Sequence, residues 1–128
     1  MLLSLDMNSE TPIYSQICNQ IVKAIAMGQL SEGDELPSVR SLASDIGVNL
    51  HTVNKAYNAL KADGFLVVNR RKGVIVNHKE AYKATVQYEA GLKEQLEVLV
   101  VESLARGLGQ DVLNDMIQQI IEDTKGGS

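Results

Sequence analysis

The most informative stretch of the chain runs from residue 36 to residue 76 and reads LPSVRSLASDIGV (36–48), NLHTVNKAYNALKADGFLVVN (49–69) and RRKGVIV (70–76). The first two parts have the apolar spacing of short helices, and Gly47 separates them. The third part predicts a basic hairpin. Two short helices followed by a hairpin are typical of a winged helix-turn-helix, whose second helix enters the major groove of DNA. Residues 36–76 therefore predict a DNA-binding module.

Polar residues and glycines mark the ends of the two helices. Ser38 is expected to cap the first, which ends at Gly47, and Asn49 to cap the second, which ends at Gly64. The inward faces are apolar and consist of Val39, Leu42, Ala43 and Ile46 in the first helix and Val53, Ala56, Tyr57 and Leu60 in the second. The outward face of the second helix is polar and basic, so it can approach phosphates without repulsion.

The module extends on both sides of this stretch. Upstream, Thr11 is expected to cap a helix with Pro12 at its first position, and isoleucines at every fourth position from 13 to 25 form one apolar face. Downstream, residues 65–69 and 74–77 predict two strands. The turn between the strands carries the basic cluster and its glycine, which are Arg70, Arg71, Lys72 and Gly73.

The rest of the chain has helical spacing. Apolar positions from Lys79 to about Arg106 predict one long helix, and a second follows the glycines of residues 107–109. Because the pattern changes from strand to helix after Asn77, we expect a winged helix-turn-helix domain at residues 1–77 and a helical region at residues 78–128. The predicted fold class is mainly α with a small β-wing, followed by a C-terminal two-helix hairpin.

The predicted hairpin is too short to bury a core of its own. Its apolar faces must therefore lie on the first domain, on a second copy of the chain, or on both, and a homodimer is the simplest interpretation. The residues expected at the dimer interface are Leu92, Leu96, Leu99, Val100, Leu113, Ile117 and Ile120.

The charge of the chain is unevenly distributed. The formal net charge is −4, yet residues 12–76 carry seven basic and five acidic side chains, whereas residues 77–128 carry five basic and nine acidic ones. Phosphate binding depends on where charge lies and not on its total. We therefore expect DNA at the first half and protein contacts at the acidic second half.

Several classes of protein are excluded by what the sequence lacks. It shows no apolar run near the roughly 20 residues that span a membrane, and its start has no basic leader followed by a long apolar segment. A cytoplasmic location without membrane contact is therefore expected. No nucleophile-base pair, phosphate-binding glycine loop or cluster of metal ligands stands out, so we expect no enzyme activity, no cofactor and no metal.

Three motifs give the chain a family resemblance. PIYSQI (12–17), the run from Gly28 to Arg40 of the form GxLxxGDxLPSVR, and the run from Leu42 to Tyr57 of the form LAxxxGVNxxTVxKAY resemble the GntR family of bacterial transcription regulators. The short helical tail resembles the YtrA-like subfamily, which dimerises through a small C-terminal region. The resemblance implies a homodimeric repressor of an inverted-repeat operator, often beside genes for membrane transporters.

The resemblance also implies which residues contact double-stranded DNA. Family contacts carried over to this chain are Arg40, Asn49, His51, Thr52, Asn54, Arg71 and Gly73, and the basic character of the same surfaces adds Lys55, Arg70 and Lys72. Two places depart from the family pattern. Many members have arginine or proline where this chain has Leu50, and the wing sequence after Arg71 also differs.

Two other functions stay open on the sequence alone. The low net charge and Leu50 are compatible with an adaptor, in which the winged helix and the acidic helical tail bind protein partners. A small-molecule effector between the winged domain and the tail is a third hypothesis, in which the ligand releases DNA by changing the spacing of the recognition helices.

Overall fold

A computed structural model describes residues 3–126 of the chain. Its elements in chain order are α1 (Ile13–Ala26), α2 (Val39–Ile46), α3 (Leu50–Ala62), β1 (Leu66–Asn69), β2 (Gly73–Val76), α4 (Lys79–Tyr82), α5 (Val86–Ala105) and α6 (Gln110–Gly126). They divide into two compact units, Met1–Tyr82 and Lys83–Ser128. The small sheet and the mainly helical composition are those predicted from the sequence.

The core of the first unit lies where α1 and α2 pack on α3. The apolar faces of the three helices supply most of it, since their spacing places one buried residue on every turn. Leu66 of β1 and Val76 of β2 close it from the wing side. The buried core residues are Ile17, Ile21, Leu36, Leu42, Ala43, Val53, Ala56, Tyr57, Leu60, Leu66 and Val76.

The wing is an antiparallel hairpin tied to the rest of the unit along one edge. Leu66 pairs with Val76 and Asn69 with Gly73. Glu35 forms a bridge to Ile75, so the connection between α1 and α2 acts as a third, very short strand. Because this connection is hydrogen-bonded to β2, the wing has a defined direction relative to the helices.

The predicted start of α1 needs correction. Pro12 occupies the N-cap position and no side chain caps the helix, whereas Thr11 was expected to cap it. The carbonyl of Thr11 instead accepts a hydrogen bond of 2.9 Å from the side-chain amide of Gln16. The turn before α1 is thus closed by a side chain from within the helix.

The single long helix predicted from Lys79 is wrong, because the helical segment is interrupted. α4 ends at Tyr82, and α5 begins only at Val86, where the hydroxyl of Thr85 accepts a hydrogen bond of 3.0 Å from the N–H of Tyr88. Tyr82 stacks on Phe65 with 4.9 Å between ring centres. This contact joins α4 to the first unit, which extends to Tyr82.

Candidate nucleic-acid interface

The turn between α2 and α3 is formed as the sequence predicts. The hydroxyl of Ser38 accepts a hydrogen bond of 3.0 Å from the N–H of Ser41 at the start of α2. Gly47 ends that helix in the left-handed conformation, and the carboxamide oxygen of Asn49 accepts a hydrogen bond of 2.7 Å from the N–H of His51. Both predicted N-caps are therefore present, and they set where α3 begins.

α3 is held from behind by a buried tyrosine. Tyr57 is fully buried, and its hydroxyl donates a hydrogen bond of 2.8 Å to the carbonyl of Pro37. Burial raises the pKa of the Tyr57 phenol far above its ordinary value, so the hydroxyl stays a donor at any physiological pH. This contact ties the middle of α3 to the segment that precedes α2, and the outer face of α3 is left free.

The residues predicted to contact DNA from α3 differ in their surroundings. His51 and Asn54 are exposed, whereas Thr52 is half-buried. Asn49 uses its carboxamide oxygen as the cap of α3, so its amide group is the part left to donate. Lys55 is exposed, and its ammonium lies 4.6 Å from the centre of the Tyr14 ring. The exposed surface near the start of α3 is thus polar and positively charged.

Arg40 lies in the first turn of α2 and is exposed. Among residues 3–126, no carboxylate lies within salt-bridge distance of its guanidinium. An arginine without an acidic partner keeps its donors available for phosphate or for the edge of guanine.

The tip of the wing presents its basic side chains to solvent. Arg70, Arg71 and Lys72 are exposed between the two strands, and Gly73 begins β2 with a φ of 77°. The carboxamide oxygen of Asn69 accepts hydrogen bonds from the N–H groups of Arg71, at 2.9 Å, and Lys72, at 3.0 Å. An asparagine that binds the backbone two residues on is typical of a tight turn. The wing tip is therefore an ordered basic turn.

Two residues that shape this surface were missed by sequence reasoning. Tyr14 on α1 contacts Lys55 through its ring, and Asn69 organises the wing turn. The position of Asn69, at the end of a strand and before a basic turn, was a usable signal. The Tyr14 contact had no local signal, because it joins two helices that are distant in the sequence.

Among the described residues, no acidic side chain of the first unit forms an ion pair with a basic residue of α3 or of the wing tip. Glu32 lies 3.0 Å from Nδ1 of His78, and Asp34 accepts a hydrogen bond from the N–H of Ser31. Asp63 follows the C-terminal end of α3, and no acidic residue lies within that helix. The basic residues of α3 and the wing tip are thus not neutralised by neighbouring carboxylates.

Cys18, the single cysteine, lies on α1 and faces α3. Burial and, secondarily, the charge of Asp63 raise the pKa of its thiol, although a hydrogen bond with Tyr14 lowers it. The thiol donates to the carbonyl of Ala56 over 3.7 Å. A protonated thiol of this kind is an unreactive packing group.

The second unit exposes its apolar side chains. No residue of α5 or α6 is buried, and the two helices make few contacts with each other. Of the residues predicted at a dimer interface, Leu99 is 63% exposed and Ile120 is 65% exposed. Val100 and Leu113 are half-buried, and the remaining exposed ones are Leu92, Leu96 and Ile117. Such exposure of large apolar side chains is typical of surfaces through which proteins associate.

Within residues 3–126, no group of three or more histidine, cysteine, aspartate or glutamate side chains could hold a metal ion. None of the helices in this range has both the length and the apolar character needed to cross a membrane.

Comparison with known proteins places these features in a family. The sequence model described as "Bacterial regulatory proteins, gntR family" matches residues 13–76. The HTH-type transcriptional repressor YtrA of Bacillus subtilis (strain 168) is 34% identical over 126 residues, which cover 98% of this chain and 97% of the repressor. These relatives are transcription regulators and not enzymes.

Two solved structures are similar over nearly the whole chain. A transcriptional antiterminator from Listeria monocytogenes EGD-e has a TM-score of 0.89 and 25% identity, and covers 97% of this chain and 92% of its own. YtrA from Sulfolobus acidocaldarius, a GntR-family transcription factor, has a TM-score of 0.57 and 38% identity over 94% of this chain and 97% of its own.

The predicted winged helix with a C-terminal helical region is therefore confirmed, and so is the family resemblance. The matched residues 13–76 include α1 to α3 and both strands of the wing. With its helix-turn-helix, its basic wing and these relatives, the chain belongs to the GntR family of bacterial regulatory proteins and is a DNA-binding transcription regulator.

Proposed function

We propose that the protein is a homodimeric repressor that binds an inverted-repeat operator in the cytoplasm. The observation that carries this proposal is the set of exposed basic side chains, without acidic partners among the described residues, on α2, α3 and the wing tip. The proposed DNA contacts are Arg40, Asn49, His51, Thr52, Asn54, Lys55, Arg70, Arg71, Lys72 and Gly73. A repressing role is supported by the name of the relative from Bacillus subtilis, which is a transcriptional repressor.

Each element has a separate role in this proposal. α3 enters the major groove, where the head of the helix meets base edges. The wing lies along the phosphate backbone, since its three basic side chains are exposed on one turn that ends at Gly73. Arg40 binds a phosphate or a guanine beside the groove. Phosphate contacts then set the register of the protein, and α3 reads the sequence.

The proposed dimer interface is the apolar surface of α5 and α6. The second unit comprises 46 residues between Lys83 and Ser128, and none of the described ones in its helices is buried within the chain. Chains of this size rarely form a stable core alone. A second copy that covers Leu92, Leu96, Leu99, Val100, Leu113, Ile117 and Ile120 would supply the missing burial, and two-fold symmetry would match an inverted repeat.

Duplex binding as a function of salt tests the proposal. A protein that contacts about six phosphates should lose roughly 1,000-fold in affinity between 50 and 200 mM salt. Arg40→Ala and Arg71→Ala should each reduce the slope of log affinity against log salt by about 2, because each removes one phosphate contact from both protomers of the dimer. The control is Lys93→Ala, an exposed lysine on α5, which should leave the slope unchanged.

A flat salt response would contradict the proposal. Unchanged binding by the double variant of Arg40 and Arg71 would contradict it as well, and would favour the adaptor, in which DNA contact is incidental.

A further inference from the structure

The head of α3 carries one large apolar side chain that the first unit leaves partly exposed. Leu50, the first residue of the helix, is 41% exposed. The other large apolar residues of α3 are buried, and the remaining exposed side chains of the first two turns, His51, Asn54 and Lys55, are polar. Exposure of a leucine at this position is therefore not explained by packing within the helix-turn-helix.

Leu50 and Asn54 are neighbours on the outer face of the helix. They are four residues apart, so they lie one above the other, about 5–6 Å between their β-carbons. The side chain of Asn54 makes no hydrogen bond to the other described residues, so its carboxamide is available for a ligand. Together they present an apolar group beside a carboxamide that can both donate and accept.

The two basic side chains of α3 contact other residues of the first unit. The ammonium of Lys55 lies over the Tyr14 ring, and that of Lys61 lies 3.5 Å from the carboxamide oxygen of Asn58, nearer the other end of the helix. α3 contains no arginine. Bidentate recognition of guanine by a guanidinium, the commonest specific contact in the major groove, is therefore not available from this helix.

We propose that the head of α3 reads A·T base pairs, with Leu50 against the methyl group of a thymine and Asn54 bonded to an adenine. The thymine methyl is the one apolar group that bases present in the major groove, and asparagine pairs with the N6 and N7 atoms of adenine through two hydrogen bonds. This specificity rests on the proposed function, in which α3 lies in the major groove.

The test uses the full-length protein and duplexes selected by it from a random pool. Each thymine of the selected half-site is replaced in turn by deoxyuridine, which lacks only the methyl group, and affinity is measured at one salt concentration. We expect one thymine in each half-site to be sensitive. Deoxyuridine at that thymine in one half-site should reduce the affinity about fourfold, which is the value of burying one methyl group, and the same change in both half-sites should reduce it about 16-fold. Deoxyuridine at the other thymines should have little effect.

Substitutions at Leu50 test whether this residue contacts the methyl group of the thymine. In Leu50→Ala the sensitive thymine should become insensitive to deoxyuridine, whereas Leu50→Met, which keeps an apolar side chain, should retain the effect. Leu50 is exposed, so both variants should fold, and thermal unfolding checks this. Replacing the adenine bound by Asn54 with 7-deazaadenine, which lacks N7, should weaken binding by the wild type and not by Asn54→Ala.

The possible results distinguish a failure of the proposed base readout from a failure of the proposed function. Salt-dependent duplex binding that is insensitive to deoxyuridine at every thymine, or a sensitivity that persists in Leu50→Ala, overturns the proposed readout and leaves the proposed function intact. A protein that selects no duplex from the pool overturns both.

Discussion

Gly64 follows α3 with a φ of 89°, and Gly28 follows α1 with a φ of 78°. Both positions require the left-handed conformation, which is unfavourable for any residue with a β-carbon. They differ in their surroundings. A β-carbon at position 64 would collide with the carbonyl group of Ala81 in α4, whereas nothing lies within 4 Å of one at position 28. Gly64 is therefore needed both for its backbone angle and for the close approach of α4.

This difference predicts the stabilities of two alanine variants. Gly28→Ala should reduce the free energy of unfolding by about 1–2 kcal/mol, the cost of the left-handed angle alone. Gly64→Ala should reduce it by a further 1–3 kcal/mol or so, because a packed backbone must move. Urea unfolding of the two variants measures both values. Equal losses would show that α4 does not press on Gly64.

At the scale of elements, the segment before α1 is held by two glutamines of that helix. The side-chain oxygen of Gln16 accepts a hydrogen bond of 2.8 Å from the N–H of Asp6, and its amide donates to the carbonyl of Asp6 over 2.9 Å. Gln20 binds the N–H and the carbonyl of Ser4 in the same way. The alternate residues Leu3 and Leu5 then pack on the core. Two side chains thus replace the neighbouring strand that an extended segment normally requires.

Removal of one glutamine should release this segment. Gln16 is the buried polar residue of the first unit, and its side chain makes three hydrogen bonds to backbone groups. At about 1 kcal/mol for each, Gln16→Ala should lower the free energy of unfolding by about 3 kcal/mol and speed amide hydrogen exchange at Asp6. Asn19→Ala, at an exposed position of the same helix, is the control, with an expected change below about 0.5 kcal/mol. Equal effects of the two substitutions would contradict this role.

For the whole molecule, charge and apolar surface divide the chain into two parts of different surface chemistry. Residues 12–76 carry more basic than acidic side chains, and residues 77–128 carry nine acidic ones against five basic. The second part also has the exposed apolar helices. DNA repels an acidic surface, so the second unit is suited to contact with protein and the first to contact with phosphate.

Association through α6 can be tested with a pair of matched substitutions. Ile117 lies on the apolar face of α6 and is 50% exposed, whereas Asn114 is an exposed polar residue of the same helix. Ile117→Asp should convert a dimer of about twice 13.9 kDa into a monomer in analytical ultracentrifugation, because a buried charge without a partner is strongly unfavourable. Asn114→Asp should remain dimeric. A dimer that persists in Ile117→Asp would place the interface elsewhere.

Much of the first unit could be predicted because its signals are local. Ser38, Gly47 and Asn49 mark helix ends through groups within a few residues of each other, and the apolar spacing shows which face is buried. The break between α4 and α5 was missed because the apolar spacing continues across residues 83–85, although Thr85 is a usable N-cap. Helix spacing alone does not reveal that Tyr82 stacks on Phe65.

Residue type and spacing along the chain were enough to predict the three helices and two strands of residues 13–76, their apolar faces, the basic wing and the family. The tertiary structure decided which side chains remain available for contact. It placed Lys55 over Tyr14 and left Leu50 41% exposed. The reason is physical: the availability of a side chain depends on contacts between helices distant in sequence, which periodicity along one helix does not encode.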